Sequence, residues 1–189
     1  MLMRNDRWLR MSLLASIVSA LPALAATHST PPSTAPKQGD MAVSANLGFA
    51  HPFDGPFDGA EPVLNGTFEY FTTPRISWRG LLGITSFDSD GPGDVSVDST
   101  YFNANFVYNW ERGKLHPYAT AGIGLYDQSA GHDLPDDFDE SVFGVNGGGG
   151  LYWFLGSRWA LKFEGTVHAL TGEDPNTVLM GTAGAIFWF

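Results

Sequence analysis

The chain has 189 residues, which is enough for one domain with a sizeable core, and it contains no cysteine, which excludes a disulfide framework and a thiolate metal site. Twenty acidic residues against ten lysines and arginines give a net charge of -10. This balance argues against nucleic acid as a partner, because phosphate binding requires basic patches. We also expect no cofactor.

Two segments precede the folded part of the chain. Residues 1–25 have three arginines within the first ten positions, an apolar run over 11–21 and small residues up to Ala25, which is typical of a secretory signal peptide cleaved after Ala25. A membrane anchor helix is the alternative, but the apolar run is too short and Pro22 ends it. Residues 26–39 are rich in serine, threonine and proline, and we predict a flexible linker there.

From residue 40 to residue 189, apolar and polar residues alternate with the period of two that is typical of a β-strand. The alternation recurs in eight segments, over residues 41–49, 64–70, 76–84, 102–110, 117–125, 143–153, 159–169 and 179–189. One set of alternate positions holds apolar residues and glycine, whereas the other contains asparagine, threonine and charged residues. This pattern predicts an all-β fold, an eight-stranded antiparallel up-and-down β-barrel over residues 40–189.

Alternation alone does not decide which face points inward, but three further features favour a transmembrane barrel with its apolar face toward lipid. The connections 72–75, 111–114 and 155–158 are short, whereas the others are mostly longer and polar, which is typical of periplasmic turns and external loops. Tryptophans on the apolar face lie beside the short turns and would form an aromatic belt: Trp78, Trp110, Trp153 and Trp159. Strands of about nine to eleven residues suffice to cross a bilayer at a tilt. In the alternative, a soluble lipocalin-like exported barrel that carries a lipid, the apolar sets would point inward.

Two glycine-rich motifs and the last residue carry a family resemblance. Pro117–Gly124 reads PYATAGIG, Phe143–Gly149 reads FGVNGGG, and the chain ends on the aromatic Phe189. With these motifs the segment 40–189 resembles the eight-stranded outer-membrane β-barrels of the OmpA-like and opacity-type family. The resemblance implies a place in the outer membrane of a Gram-negative-type cell, among membrane lipid and lipopolysaccharide, and we expect a monomer. It also implies that the barrel-assembly machinery recognises alternating residues of the last strand: Phe189, Phe187, Ala185 and Ala183.

Four charged residues share the inward parity of the strands and lie three to six residues from short turns: Glu69, Arg79, Lys162 and Glu164. We expect them to form one lumenal ionic cluster in the periplasmic half of the barrel. Glu69 and Arg79 are nearly symmetric about the turn 72–75, so we expect them to face each other on neighbouring strands. The cluster is interpreted as an ionic plug, because the interior of an eight-stranded barrel is just wide enough for side chains to fill it. A gate or proton path is the alternative.

We find no catalytic residues in the pattern. His168 and Glu164 lie four residues apart along one strand, roughly 13 Å, which is too far for a direct hydrogen bond. The apolar face has no nucleophile or base that could reach a lipid. An enzyme built on external loops, with His51 or His132, is the alternative, and we expect no enzymatic activity.

The long connections are rich in acidic residues and contain no lysine or arginine. Their density of carboxylates suggests binding of Ca²⁺ or Mg²⁺, since hard cations take several oxygen ligands, with these candidate residues: Asp88, Asp90, Asp94, Asp136, Asp137 and Asp139. An acidic surface that serves only solubility is the simpler alternative. The sequence therefore predicts a structural or surface-interaction, adhesin-like role for an integral barrel. A narrow pore remains the alternative function.

Overall fold

The computed structural model describes residues 36–53, 59–88, 96–110, 113–130, 140–171 and 177–189. The predicted signal peptide, residues 1–25, and most of the predicted linker lie outside these ranges. The strands, in chain order, are β1 Met41–Pro52, β2 Glu61–Phe71, β3 Ile76–Asp88, β4 Ser96–Asn109, β5 Leu115–Ala130, β6 Glu140–Phe154, β7 Trp159–Leu170 and β8 Thr177–Trp188. Within the described ranges, no helix is long and apolar enough to cross a membrane.

The eight strands form a closed barrel in which each strand pairs antiparallel with its neighbours in the chain. The last strand β8 closes the sheet against β1, and the chain ends meet there, with the Met41 and Phe189 backbones exchanging two hydrogen bonds of 3.2 and 2.9 Å. Closure leaves no edge strand with unpaired backbone groups. The predicted fold class, an eight-stranded up-and-down barrel, is confirmed.

With 11 residues β2 has the predicted length, but the other strands are longer, up to 16 residues in β5. Sixteen residues at about 3.3 Å each, tilted by about 40°, span roughly 40 Å, which exceeds the apolar band of about 25 Å in an outer-membrane barrel. The longest strands therefore extend beyond the membrane on the side of the long connections. As a result Asp127, which the sequence placed in a long connection, lies within β5.

The apolar sets point outward. Leu47, Trp78 and Leu82 are 68%, 58% and 59% exposed, while the residues between such positions are mostly buried. A soluble barrel would bury these side chains, so the lipocalin-like alternative is wrong. The exposed apolar band is the surface that a bilayer covers.

The three short connections and the start of β1 lie at the same end of the barrel. Residues 36–40 form a turn whose Gly39 amide donates to the Phe71 carbonyl at 2.8 Å, which fixes the entry to β1 beside the end of β2. Gly39 has a φ of 90° and Gly113, in the turn before β5, a φ of 56°. Both angles are in the left-handed region that a side chain disfavours, so glycine suits these two turns.

Apolar residues fill both ends of the lumen, a feature that the sequence analysis did not predict. The short-turn cluster contains Ala42, Phe71, Val107, Tyr118, Tyr152, Phe154, Ala160, Ile186 and Trp188. The long-loop cluster contains Ala50, Val63, Leu81, Tyr101, Tyr126, Val142, Val178 and Met180. Most of the buried charged and polar residues occupy the lumen between these two clusters.

Candidate functional site

The hairpin of β2 and β3 brings the first two charged residues together. Its turn leaves Glu69 directly opposite Arg79 in the ladder, with both side chains buried. The Arg79 Nε donates to Glu69 Oε1 at 2.7 Å. The near symmetry of these residues about the turn 72–75 therefore places them in a direct ion pair.

Arg79 also reaches across the lumen to β6 and β7. Its Nη1 donates to Glu164 Oε2, and its Nη2 donates to the Tyr152 hydroxyl at 2.7 Å. The guanidinium lies 5.0 Å from the centre of the Tyr118 ring, which adds a cation–π contact. One planar side chain thus connects the pair β2 and β3 to the pair β6 and β7, which lies across the lumen.

Two tyrosines complete the hydrogen bonding of the carboxylates. The Tyr152 hydroxyl donates to Glu69 Oε1 and the Tyr118 hydroxyl donates to Glu164 Oε2, each at 2.8 Å. The two rings stack with centroids 4.4 Å apart. Ser77 Oγ donates to Glu69 Oε2 at 3.1 Å. The sequence analysis missed these partners, although Tyr118 and Tyr152 have inward parity near the short turns.

Lys162 makes the fourth member of the cluster. Its Nζ lies 3.7 Å from Glu164 Oε1 and has no hydrogen-bond partner among the described residues. The exposed fractions of Glu69, Arg79, Lys162 and Glu164 are 0%, 2%, 1% and 8%. We call these four residues the ionic layer. Because it holds two cations and two anions, it has no net charge when all four groups are ionised.

Neutral polar residues lie beyond the ionic layer, toward the long connections. Asn46 Nδ2 donates to Asn65 Oδ1 at 2.7 Å, and Asn105 Nδ2 donates to Thr120 Oγ1 at 3.2 Å. A second bond of the Asn105 amide reaches Asn146 Oδ1 on β6. These side chains fill the middle of the lumen, between the ionic layer and the long-loop cluster.

Two of the histidines that the sequence analysis considered, His168 and His51, are described, and each has a polar partner within the barrel. His168 Nδ1 lies 2.6 Å from the Tyr126 hydroxyl and its Nε2 lies 2.9 Å from Thr166 Oγ1, so both ring nitrogens are occupied within the lumen. His51 Nδ1 lies 2.7 Å from the Gly59 carbonyl oxygen at the outer end of β1. His132 lies outside the described residues.

The alternating residues of the last strand face outward. Ala183 pairs with Leu47, Ala185 with Ala45 and Phe187 with Val43 on β1. Ala183 and Ala185 are exposed, Phe187 is half-buried against Trp159, and Phe189 is 58% exposed. Between them, Trp188 points into the lumen and stacks on Phe154 with ring centroids 4.9 Å apart.

The candidate cation-binding residues are not described. Asp90, Asp94, Asp136, Asp137 and Asp139 lie outside the described ranges, and of Asp88 only the backbone, at the end of β3, is described. In the part of the chain that is described, no group of three or more histidines and carboxylates could hold a metal ion. Two acidic residues at the outer ends of β4 and β5 do have partners: Ser86 Oγ donates to Asp98 Oδ1 at 2.6 Å, and Ser141 Oγ to Asp127 Oδ1 at 2.8 Å.

Several solved structures share this fold. Neisserial surface protein A is 13% identical, with a TM-score of 0.66 over 79% of this chain and 99% of that one. The outer membrane protein OprG from Pseudomonas aeruginosa is 13% identical, with a TM-score of 0.65 over 81% and 97%. Ail, the attachment invasion locus protein of Yersinia pestis, is 14% identical, with a TM-score of 0.58 over 80% and 99%.

At this level of identity, the solved structures establish similarity of fold alone. Among curated proteins, none has a sequence that matches significantly. The family model for the outer membrane protein beta-barrel domain matches residues 11–187, which is most of the chain. The chain therefore belongs to the outer membrane protein beta-barrel domain family.

Proposed function

We propose that this protein is a non-conducting outer-membrane barrel with a structural or surface-interaction, adhesin-like role, and that it is not an enzyme. The observation that carries the proposal is the ionic layer, in which the Arg79 guanidinium bonds Glu69 on the neighbouring strand β2 and reaches across the lumen to β6 and β7. A water path would have to pass this layer and both apolar clusters. A lumen filled in this way leaves the external surface as the part available for partners.

The composition of the long connections supports a role at the cell surface. They are acidic and contain no lysine or arginine, so they attract cations and repel anionic surfaces. Loops on a rigid barrel are also the usual place for binding residues. Two of the similar structures are described as a surface protein and an attachment invasion locus protein, which is compatible with this role.

The proposal includes the processing of the chain, its oligomeric state and the lipids around it. The mature chain begins after Ala25, the barrel is a monomer, and lipopolysaccharide and membrane lipid surround its apolar band. Phe189, Phe187, Ala185 and Ala183 form the signal that the barrel-assembly machinery recognises. Their alternate, outward positions on the closing strand support this assignment.

Planar-bilayer recording tests the closed lumen. Protein purified from the outer membrane and showing a heat-shifted band on gels should give no discrete conductance steps. A matched variant, Arg79→Ser with Tyr152→Ala, removes the bridging side chain and one stacked ring and should increase conductance if the layer is the barrier. Discrete steps from the unmodified protein would favour the narrow-pore alternative and refute the proposal.

We also propose that the acidic loops bind a divalent cation, on the basis of the carboxylate density over residues 88–94 and 133–140. Calorimetric titration of the folded protein with Ca²⁺ should detect binding at millimolar levels or below. Replacing Asp88, Asp90 and Asp94 by asparagine, or Asp136, Asp137 and Asp139, should abolish it, whereas Asp98→Asn with Asp127→Asn serves as control. Absence of heat at millimolar Ca²⁺ would refute cation binding and leave the acidic loops as a solubilising surface.

A further inference from the structure

Four positions at the short-turn end of the barrel are structurally equivalent. Each directly precedes an odd-numbered strand, and its carbonyl accepts a backbone hydrogen bond from near the end of the next strand. The donors and acceptors are Phe71 to Asp40 at 2.9 Å, Asn109 to Arg75 at 2.7 Å, Phe154 to Lys114 at 2.8 Å and Trp188 to Arg158 at 2.9 Å. The backbone therefore holds these four residues in a repeated arrangement around one rim of the barrel.

Three of the four equivalent positions carry a cation. Arg75, Lys114 and Arg158 are exposed, and we call them the basic rim. The fourth position is Asp40, whose carboxylate accepts the Lys37 backbone amide at 2.8 Å. The turn before β5 contributes one more cation, Arg112, and one acid, Glu111, in the sequence. By contrast the long connections at the other end contain no lysine or arginine, so the exposed cations of the barrel concentrate at the short-turn end.

The basic rim lies at the level of the aromatic belt. Trp159 directly follows Arg158, and Trp78 follows Arg75 by three residues, with exposed fractions of 52% and 58%. Tryptophan rings of membrane proteins are enriched at the interface between hydrocarbon and water, where the phosphate groups of lipids lie. The cations of the basic rim therefore lie at the height of headgroup phosphates.

We propose that the basic rim binds anionic phospholipid headgroups of the periplasmic leaflet. Charge complementarity carries the argument: a set of exposed cations without a comparable set of acids meets the lipid phosphates at the same height. Each lysine or arginine near an anionic membrane surface contributes up to about fivefold in binding, and three such residues give a clear preference for anionic over zwitterionic lipid. This inference rests on the membrane placement of the barrel and adds a lipid class and a leaflet to it.

The tryptophans supply a local probe for the test. After residue 25 the sequence has five of them, Trp78, Trp110, Trp153, Trp159 and Trp188, and all lie near the short-turn end. Protein purified from the membrane of expressing cells is reconstituted in vesicles of equal parts phosphatidylcholine and phosphatidylglycerol, with bromine on the acyl chains of one lipid at a time. We expect brominated phosphatidylglycerol to quench the fluorescence several-fold more than brominated phosphatidylcholine.

Variants assign the preference to the basic rim. Arg75→Gln, Lys114→Gln and Arg158→Gln together should reduce the quenching ratio to about one, while Arg75→Lys with Arg158→Lys should keep it. Asp98→Asn with Asp127→Asn, at the opposite end, should also keep it. A triple variant that retains the heat-shifted band and the full preference overturns the inference, as does a ratio near one for the unmodified protein.

Two further outcomes separate this inference from neighbouring explanations. If sodium chloride removes the preference as readily as inorganic phosphate at the same ionic strength, the cations act only through general screening and the assignment to phosphate headgroups is wrong. If the protein shows no heat-shifted band and neither brominated lipid quenches it, the membrane placement itself has failed. If both brominated lipids quench the fluorescence equally, the barrel is in the membrane and only the headgroup preference is contradicted.

Discussion

Removing the guanidinium of Arg79 should strongly destabilise the barrel. In Arg79→Met, Glu69 and Glu164 lose their bonds to Nε and Nη1, and the Tyr152 hydroxyl loses its bond to Nη2. Charge-assisted hydrogen bonds contribute about 1.5 to 3 kcal/mol each to stability. Part of the stability lost with them is recovered, because the variant no longer has to desolvate an arginine on folding. Removing one partner of a buried ion pair typically costs about 3 to 5 kcal/mol. We expect the unfolding free energy of Arg79→Met to fall by an amount in this range.

Urea unfolding in lipid vesicles, followed by tryptophan fluorescence and by the heat-shifted band, measures this loss. The matched control is Lys37→Gln, an exposed cation in the turn before β1, which should leave the unfolding free energy close to its original value. The double variant Arg79→Met with Glu69→Gln restores a neutral layer of Lys162 and Glu164 and should recover at least about 1 kcal/mol relative to Arg79→Met. A loss below about 1 kcal/mol in Arg79→Met, or one equal to that of the control, would refute the reasoning.

Three more predictions follow from single contacts. Tyr152→Phe removes a hydroxyl that is bonded on both sides and should lower the unfolding free energy by about 1 to 3 kcal/mol in the same urea assay. A Cβ at Gly184 would meet the backbone of β1, 2.7 Å from the Asn46 Cα, so Gly184→Val should prevent closure and abolish the heat-shifted band; Gly165, with open space around it, is the control and should tolerate valine. Phe189→Ser should reduce the folded protein recovered in outer-membrane fractions, and equal recovery would argue against an assembly role for this residue.

The sequence could predict that the charged side chains point into the lumen, because alternate residues of a strand point to opposite faces of the sheet. Glu69 and Arg79 flank a short turn, and the turn alone sets their register. The contacts of Arg79 with Tyr152 and Glu164 could not be predicted in the same way. They cross the lumen, and the pairs that meet there depend on the stagger of all eight strands, which no single segment specifies.

The apolar ends of the lumen were missed for a different reason. Near the chain end the sequence reads Ile186, Phe187, Trp188, Phe189, so both faces of the strand are apolar and alternation disappears. The structure places Ile186 and Trp188 inside and leaves Phe189 outside. The outer ends of β3 to β6 were missed because strands that extend past the membrane carry polar residues on both faces, as at Asp127.

The ionic layer also affects the register in which neighbouring strands pair. A buried ion pair adds little net stability compared with apolar side chains of similar volume, so stability alone does not account for four charges in a narrow lumen. A slip of one residue between two strands would move every side chain of the slipped strand to the opposite face. A slip of β3 would turn Arg79 toward lipid and leave Glu69 and Glu164 without it in the lumen, and removing one partner of a buried ion pair costs about 3 to 5 kcal/mol. The cost of such slips, rather than the strength of the pairs, makes the charges of the ionic layer select one register for β2, β3 and β7.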